Sequence, residues 1–144
     1  MCGFVGVAGP GADPSSESLR AMGATLAHRG PDDEQVLSRE GVGLCFRRLS
    51  IIDVEGGAQP LWNEDQDIAC VLNGELYNFQ ELKTELEARG HRFRTRSDAE
   101  VIVHLYEEEG AEFVHRLVGM FSIAVVDFRS SAGPEVLLFR DRMG

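Results

Sequence analysis

The sequence predicts an α+β fold built on antiparallel strands. Three observations carry that reading: strand-like runs that meet across short turns, helix-period segments bounded by capping signals, and 16 glycines gathered where the chain must reverse. The runs Gln35 to Arg39 and Val42 to Phe46 meet at Glu40-Gly41. Met120 to Val126 is almost continuously apolar, as suits a strand buried on both faces, and Val136 to Phe139 follows as its hairpin partner.

In chain order, Phe4 to Ala8 reads as a short buried strand closed by Gly9-Pro10-Gly11, so that Cys2 stands at its start. A helix follows with Asp13 as its cap and Pro14 as its first residue. Leu19, Met22 and Leu26 recur at helical spacing, and the helix ends near His28. After the first strand pair, the apolar stretch 49–52 enters a loop, Asp53 to Pro60, whose Gly56-Gly57 pair blocks regular structure and makes it a candidate site wall. Ile68 to Leu72 is a strand that ends on Asn73-Gly74, a tight-turn dipeptide. Asn78 with Glu81 reads as a capping box for a second helix that Gly90 stops. Ser97-Asp98-Ala99-Glu100 reads as another for a third helix ending at Gly110, with Asp98 in its first turn. A short helix, Glu112 to Leu117, leads into the last strand pair.

With 43% hydrophobic and 26% charged residues, the 144 residues have the composition of one soluble globular domain. The formal net charge of −10 and the scattered basic residues exclude nucleic acid as an expected partner. No apolar run approaches the ~20 residues of a membrane helix and no secretory signal is visible, so no membrane role is expected and the predicted location is cytoplasmic. Cys2, Cys45 and Cys70 form no C-x-x-C pair, so reduced thiols are expected and neither a disulfide framework nor a metal site is suggested. The abrupt end after Val136 to Phe139 is expected to leave a sheet edge that a homodimer or further strands would cover.

Chemistry is best sought at Cys2. Removal of Met1 would leave one residue carrying both a thiol and a free α-amine, whose reference pKa of about 8, against about 10.4 for lysine, fits it to accept the thiol proton at neutral pH. A Cys–His dyad is the competing arrangement, with His28, His91, His104 or His115 supplying the imidazole. A third reading makes Cys2 a small buried residue at a strand start.

Motifs along the whole chain bear on this choice: Met1-Cys2-Gly3-Phe4-Val5-Gly6, His28-Arg29-Gly30-Pro31-Asp32, Arg48-Leu49-Ser50-Ile51-Ile52-Asp53, Gly57-Ala58-Gln59-Pro60, Asn73-Gly74-Glu75-Leu76-Tyr77-Asn78, Ser97-Asp98-Ala99-Glu100 and Gly119-Met120-Phe121. In this order and spacing the sequence resembles the N-terminal glutaminase domain of glutamine-dependent asparagine synthetase, a class II glutamine amidotransferase. The resemblance implies an N-terminal nucleophile (Ntn) hydrolase-like αββα sandwich of two antiparallel sheets. It also implies one amidotransferase domain over residues 1–144, incomplete at its C-terminus and without its synthetase domain.

By the same resemblance, Cys2 attacks the side-chain amide of glutamine to release ammonia, and Asn73 and Gly74 donate to the oxyanion. Arg48 and Asp98 bind the charged end of glutamine, and Leu49, Ser50, Ile51, Ile52 and Glu75 complete the pocket. His28, Arg29 and Asp32 form a loop near the nucleophile. Phe46 stands where family members commonly have histidine. No cofactor is expected in these residues. ATP and magnesium belong to the absent synthetase domain or subunit, which would take the ammonia. The alternative function is a non-catalytic glutamine-binding or interaction module of the same fold, and the joint presence of Cys2, Asn73, Gly74 and Asp98 favours the enzyme.

Overall fold

The computed structural model describes residues 2–49 and 58–143. Two antiparallel sheets lie within it. Strands β1 (Gly3–Ala8), β2 (Asp33–Arg39) and β3 (Val42–Arg48) pair in the order β1-β3-β2. Strands β4 (Leu61–Trp62), β5 (Ile68–Leu76), β6 (Gly119–Asp127) and β7 (Glu135–Arg140) pair in the order β4-β5-β6-β7. Helix α1 (Ser16–Ala24) follows β1, α2 (Phe79–Ala88) and α3 (Glu100–Glu109) follow β5, and a 3-10 turn spans Gly110–Arg116.

Strand alternation sorts the apolar residues into layers. Val42, Leu44 and Phe46 of β3 meet Ala69 and Val71 of β5 and Ala124 and Val126 of β6, which fills the space between the sheets. The opposite face of β5 and β6, with Cys70, Leu72, Ile123 and Val125, packs against Leu82 and Leu86 of α2 and Ile102 and Leu105 of α3. Helix α1 covers the outer face of the first sheet, and it lies so close that a Cβ on Gly23 would overlap Cys45 Sγ. The result is helix, sheet, sheet, helices, the αββα order that the resemblance implies. Each fully buried Leu or Phe in these layers contributes roughly 1.5–3 kcal/mol. No helix among the described residues is long and apolar enough to cross a membrane.

Several expectations are corrected. Asn73-Gly74 is no hairpin turn: β5 runs through it, and Asn73 and Gly74 face Ser122 and Phe121 of β6. Gly74 has φ 153°, and a Cβ there would overlap the Met120 carbonyl, so glycine is required by strand proximity and not by chain reversal. Neither capping box forms. Asn78 makes no cap hydrogen bond and instead reaches Arg116 O and Val118 N, at 2.9 and 3.0 Å. Glu100 turns back to accept from Arg94 N and Thr95 N, both at 2.7 Å, and Asp98 precedes α3 instead of lying in its first turn. Helix α1 begins at Ser16, not Pro14, because the Ser15 side chain caps Ser18 N, while Asp13 accepts from Ser15 N and Ser18 Oγ. The two-residue strand β4 was not expected, since Leu61 and Trp62 are too short a run to show strand alternation. Residues 53–57 of the expected loop Asp53 to Pro60 lie outside the described residues.

Candidate active site

Cys2 stands immediately before β1, and the register Gly3 to Arg47 carries it opposite the end of β3. There Leu49 N–H donates to Cys2 Sγ at 3.4 Å, and the thiol faces Leu49 O at 3.7 Å. Arg29 Nε donates to Cys2 O at 3.1 Å, fixing the main chain at Cys2. The loop between α1 and β2 is itself tied to β3, because Asp32 N donates to Arg48 O at 3.0 Å. Cys2 and Phe4 pack on the inter-sheet layer.

The same layer receives Asn73 from the other sheet, two residues beyond Val71 on β5. Asn73 Oδ1 is buried and makes no hydrogen bond among the described residues. Arg29, Asn73, Gly74, Ser122, Arg140 and Asp141 line a cleft of about 500 Å³. Arg29 therefore joins the two halves of the site: it holds Cys2 on one sheet and borders the cleft that contains Asn73 and Gly74 of the other.

Arg48 ends β3 and is buried, next to Leu49. Asp98 is also buried, and its Oδ2 accepts from Leu76 N at 2.8 Å, which docks the start of α3 on the end of β5. Burial raises the Asp98 pKa, and hydrogen bonds from Leu76 N and neighbouring amides only partly oppose the rise. Glu75 is raised as well, first by burial and then by the charge of Asp98. The Asp98 charge thus acts on Glu75, and a cation between the two would favour the ionised form of both.

The structure thus places Cys2, Arg48 and Leu49 at one end of the first sheet and Asn73, Gly74 and Glu75 on β5 of the second, with Asp98, just before α3, bonded to the end of β5. Ser50, Ile51 and Ile52 lie outside the described residues. No imidazole is among the groups seen to bond the Cys2 thiol: His104 is buried in the helical layer and the His115 side chain is 77% exposed. Ser122, Arg140 and Asp141 were not anticipated. Asp141 Oδ2 accepts from Phe121 N at 2.8 Å, an arrangement with no local sequence signal because it folds residues beyond β7 back onto β6.

The glutamine amidotransferase domain family matches residues 1–144. The chain belongs to that family. This amidotransferase domain is 48% identical to asparagine synthetase [glutamine-hydrolyzing] 2 of Bacillus subtilis, over 100% of the chain and 19% of that relative. It is 41% identical to asparagine synthetase [glutamine-hydrolyzing] 1 of Arabidopsis thaliana, over 100% of the chain and 24% of the relative. The chain therefore spans about a fifth to a quarter of the curated relatives it matches. Among solved structures, the glutamine phosphoribosylpyrophosphate amidotransferase of B. subtilis aligns with TM-score 0.66 at 22% identity, over 88% of this chain and 35% of that one. That likeness bears on the fold, which is the Ntn-type αββα sandwich of two antiparallel sheets.

Proposed function

We propose that this domain hydrolyses the side-chain amide of glutamine, with Cys2 as nucleophile, and supplies the ammonia to an ATP-dependent amidation of the asparagine synthetase type. The observation that carries the reading is the placement of Cys2 at the mouth of the inter-sheet layer, linked through Arg29 to the cleft holding Asn73 and Gly74.

Once Met1 is removed, the α-amine takes the thiol proton and Sγ attacks the amide carbon. The Asn73 amide and the Gly74 N–H stabilise the oxyanion, ammonia leaves with the transferred proton, and a γ-glutamyl thioester remains. Water then attacks the thioester, giving glutamate and restoring the thiol. Arg48 pairs with the α-carboxylate, while Asp98 and Glu75 receive the α-ammonium, whose charge relieves the repulsion between them. Leu49 with residues 50–52 completes the pocket wall. ATP and magnesium act in the synthetase part, not in these residues. A cytoplasmic site of action fits this substrate supply, and a homodimer would use the β7 edge, where Leu138 is 72% exposed.

The deciding experiment combines intact mass with Cys2→Ala. The mass is expected to show loss of Met1. The variant is expected to lose glutamine-dependent ammonia release by at least roughly 10³-fold with an unchanged melting temperature. An electrophilic glutamine analogue should label Cys2 alone. Ammonia release that survives in Cys2→Ala, or labelling of Cys45 or Cys70, overturns the reading.

A further inference from the structure

The helical layer carries a second group of titratable side chains that glutamine hydrolysis does not use. Glu64 lies between β4 and β5, His91 follows α2, and His104 and Glu107 stand three residues apart on α3. One donor atom from each of the four lies within 4.8 Å of all the others. His91 Nδ1 is 3.5 Å from Glu64 Oε1 and 3.9 Å from Glu107 Oε2, while His104 Nδ1 is 3.2 Å from Glu64 Oε2. Four donors around a zinc ion at about 2.0–2.1 Å stand about 3.3–3.4 Å apart in a tetrahedron, so a group spread over up to 4.8 Å must draw together by side-chain rotation to hold one.

Proximity alone would suit an ion-paired nest. What argues for a ligand is that the innermost members are unsatisfied. His104 is 0% exposed and neither ring nitrogen makes a hydrogen bond among the described residues, its Nδ1 approaching Glu64 at 3.2 Å outside hydrogen-bond geometry. Glu107 Oε2 is likewise buried and unbonded. The His104 ring is held between His91 and Phe93 in tilted contacts, with centroids 4.8 and 4.5 Å away. His91 also has a carboxylate behind it, its Nε2 lying 3.1 Å from Glu108 Oε1, while Glu100 Oε1 stands 3.9 Å from His104 Nε2, too far for a hydrogen bond. Metal-bound histidines carry such outer carboxylates, which fix the tautomer and raise the basicity of the coordinating nitrogen. A cleft of about 410 Å³ bordered by Glu64, His91, Arg92 and Glu107 gives an ion a way in.

We propose that Glu64, His91, His104 and Glu107 form a binding site for a divalent transition-metal ion of the zinc class, separate from the glutamine site. Two nitrogen and two carboxylate donors suit zinc and disfavour magnesium and calcium, which prefer all-oxygen shells. Four protein ligands leave no open position, so the ion clamps the segment after β4 and the α2–α3 connection onto α3.

The test titrates chelator-treated protein with Zn²⁺ in a Cys2→Ala background, so that zinc on the nucleophile's thiol is not counted. One equivalent is expected to bind and raise the melting temperature, with no rise from Mg²⁺ at equal concentration. His91→Gln and Glu107→Gln should each weaken binding at least about tenfold, while His115→Gln leaves it unchanged. Co²⁺ in place of zinc should give the intense visible bands of a four-coordinate site. Absence of zinc-dependent stabilisation, full affinity in both ligand variants, or the weak bands of hydrated Co²⁺ would each overturn the proposal. The Co²⁺ spectrum is read with all four ligands intact, so it decides the question even where a variant fails to fold.

Discussion

From Ile68 to Leu72, β5 buries every side chain, alternating between the inter-sheet and helical layers, whereas Asn73, Gly74 and Glu75 are only half-buried although pairing with β6 continues unbroken to Leu76. Strand β6 shows the same change in reverse: Gly119, Met120 and Ser122 remain accessible and Ile123 to Asp127 are buried. The backbone ladder is common to both ends, and at the open end it is anchored by Leu76 and Phe121, which still pack into the helical-side core. The remaining side chains at the open end are thereby released from the core and can be given to chemistry, as the unbonded Asn73 Oδ1 illustrates.

Matched substitutions at the two ends test this division most strongly. Asn73→Ala should lower kcat for glutamine hydrolysis by about 10²–10³-fold, the cost of losing one oxyanion donor, with stability changed by less than about 1 kcal/mol. Ile123→Ala should do the opposite, because Ile123 is 0% exposed: about 2–5 kcal/mol lost in urea unfolding, with kcat per folded molecule unchanged. If Asn73→Ala unfolds as readily as Ile123→Ala, the open end is core after all.

Asp98 sharpens the comparison through pH. Its folded pKa is raised, so the native state holds the proton more tightly than the unfolded chain, whose Asp titrates near 3.8. Below 3.8 both states are protonated and nothing is lost. As pH rises from there through the raised native value the unfolded state gains on the native one, and the deficit persists above it. Asp98→Asn, which cannot ionise and can still accept from Leu76 N, should therefore match wild type at low pH and exceed its stability at neutral pH. The same variant should lose about 2–4 kcal/mol of kcat/KM by leaving the substrate ammonium unpaired. Equal pH profiles for wild type and Asp98→Asn would show that Asp98 carries no burial penalty.

Much of the structure set by neighbours in sequence was legible, although the start of α1, capped by Ser15 and not by Asp13, was not. The hairpin at Glu40-Gly41, the helix stop at Gly90, and the run that becomes β6 all follow from local pattern. What misled elsewhere was local pattern that a distant partner overrides. Asn78 looks like a helix cap until Arg116 and Val118 arrive from the far side of α3. Asn73-Gly74 looks like a turn until β6 is laid against it. Of the candidate site residues, Cys2 followed from the chemistry of an N-terminal thiol, whereas Asn73, Gly74 and Asp98 were named through motif order, which no periodicity supplies. The four candidate metal ligands went unseen because they come from three separate segments, and only the i, i+3 pair His104 and Glu107 is close in sequence.

The smallest expected effect concerns the tie that keeps the helical layer on the open end of the sheet. Asn78 Nδ2 donates to Arg116 O at 2.9 Å and its Oδ1 accepts from Val118 N at 3.0 Å, while Tyr77 N donates to Val118 O at 2.7 Å beside it. The side chain thus bridges the 3-10 turn and the entrance to β6. Val118 is 56% exposed, so water replaces much of what alanine removes, and Asn78→Ala should cost about 1 kcal/mol with glutamine hydrolysis unchanged. Glu81→Ala separates this from helix capping, since Glu81 would cap reciprocally only in a capping box, which does not form. It should change urea unfolding by less than about 0.5 kcal/mol. Asn78→Ser retains an oxygen suited to an N-cap but cannot span from Arg116 to Val118, so it should be as destabilised as alanine. Rescue by serine would mean that capping, not the bridge, accounts for the stability held by Asn78.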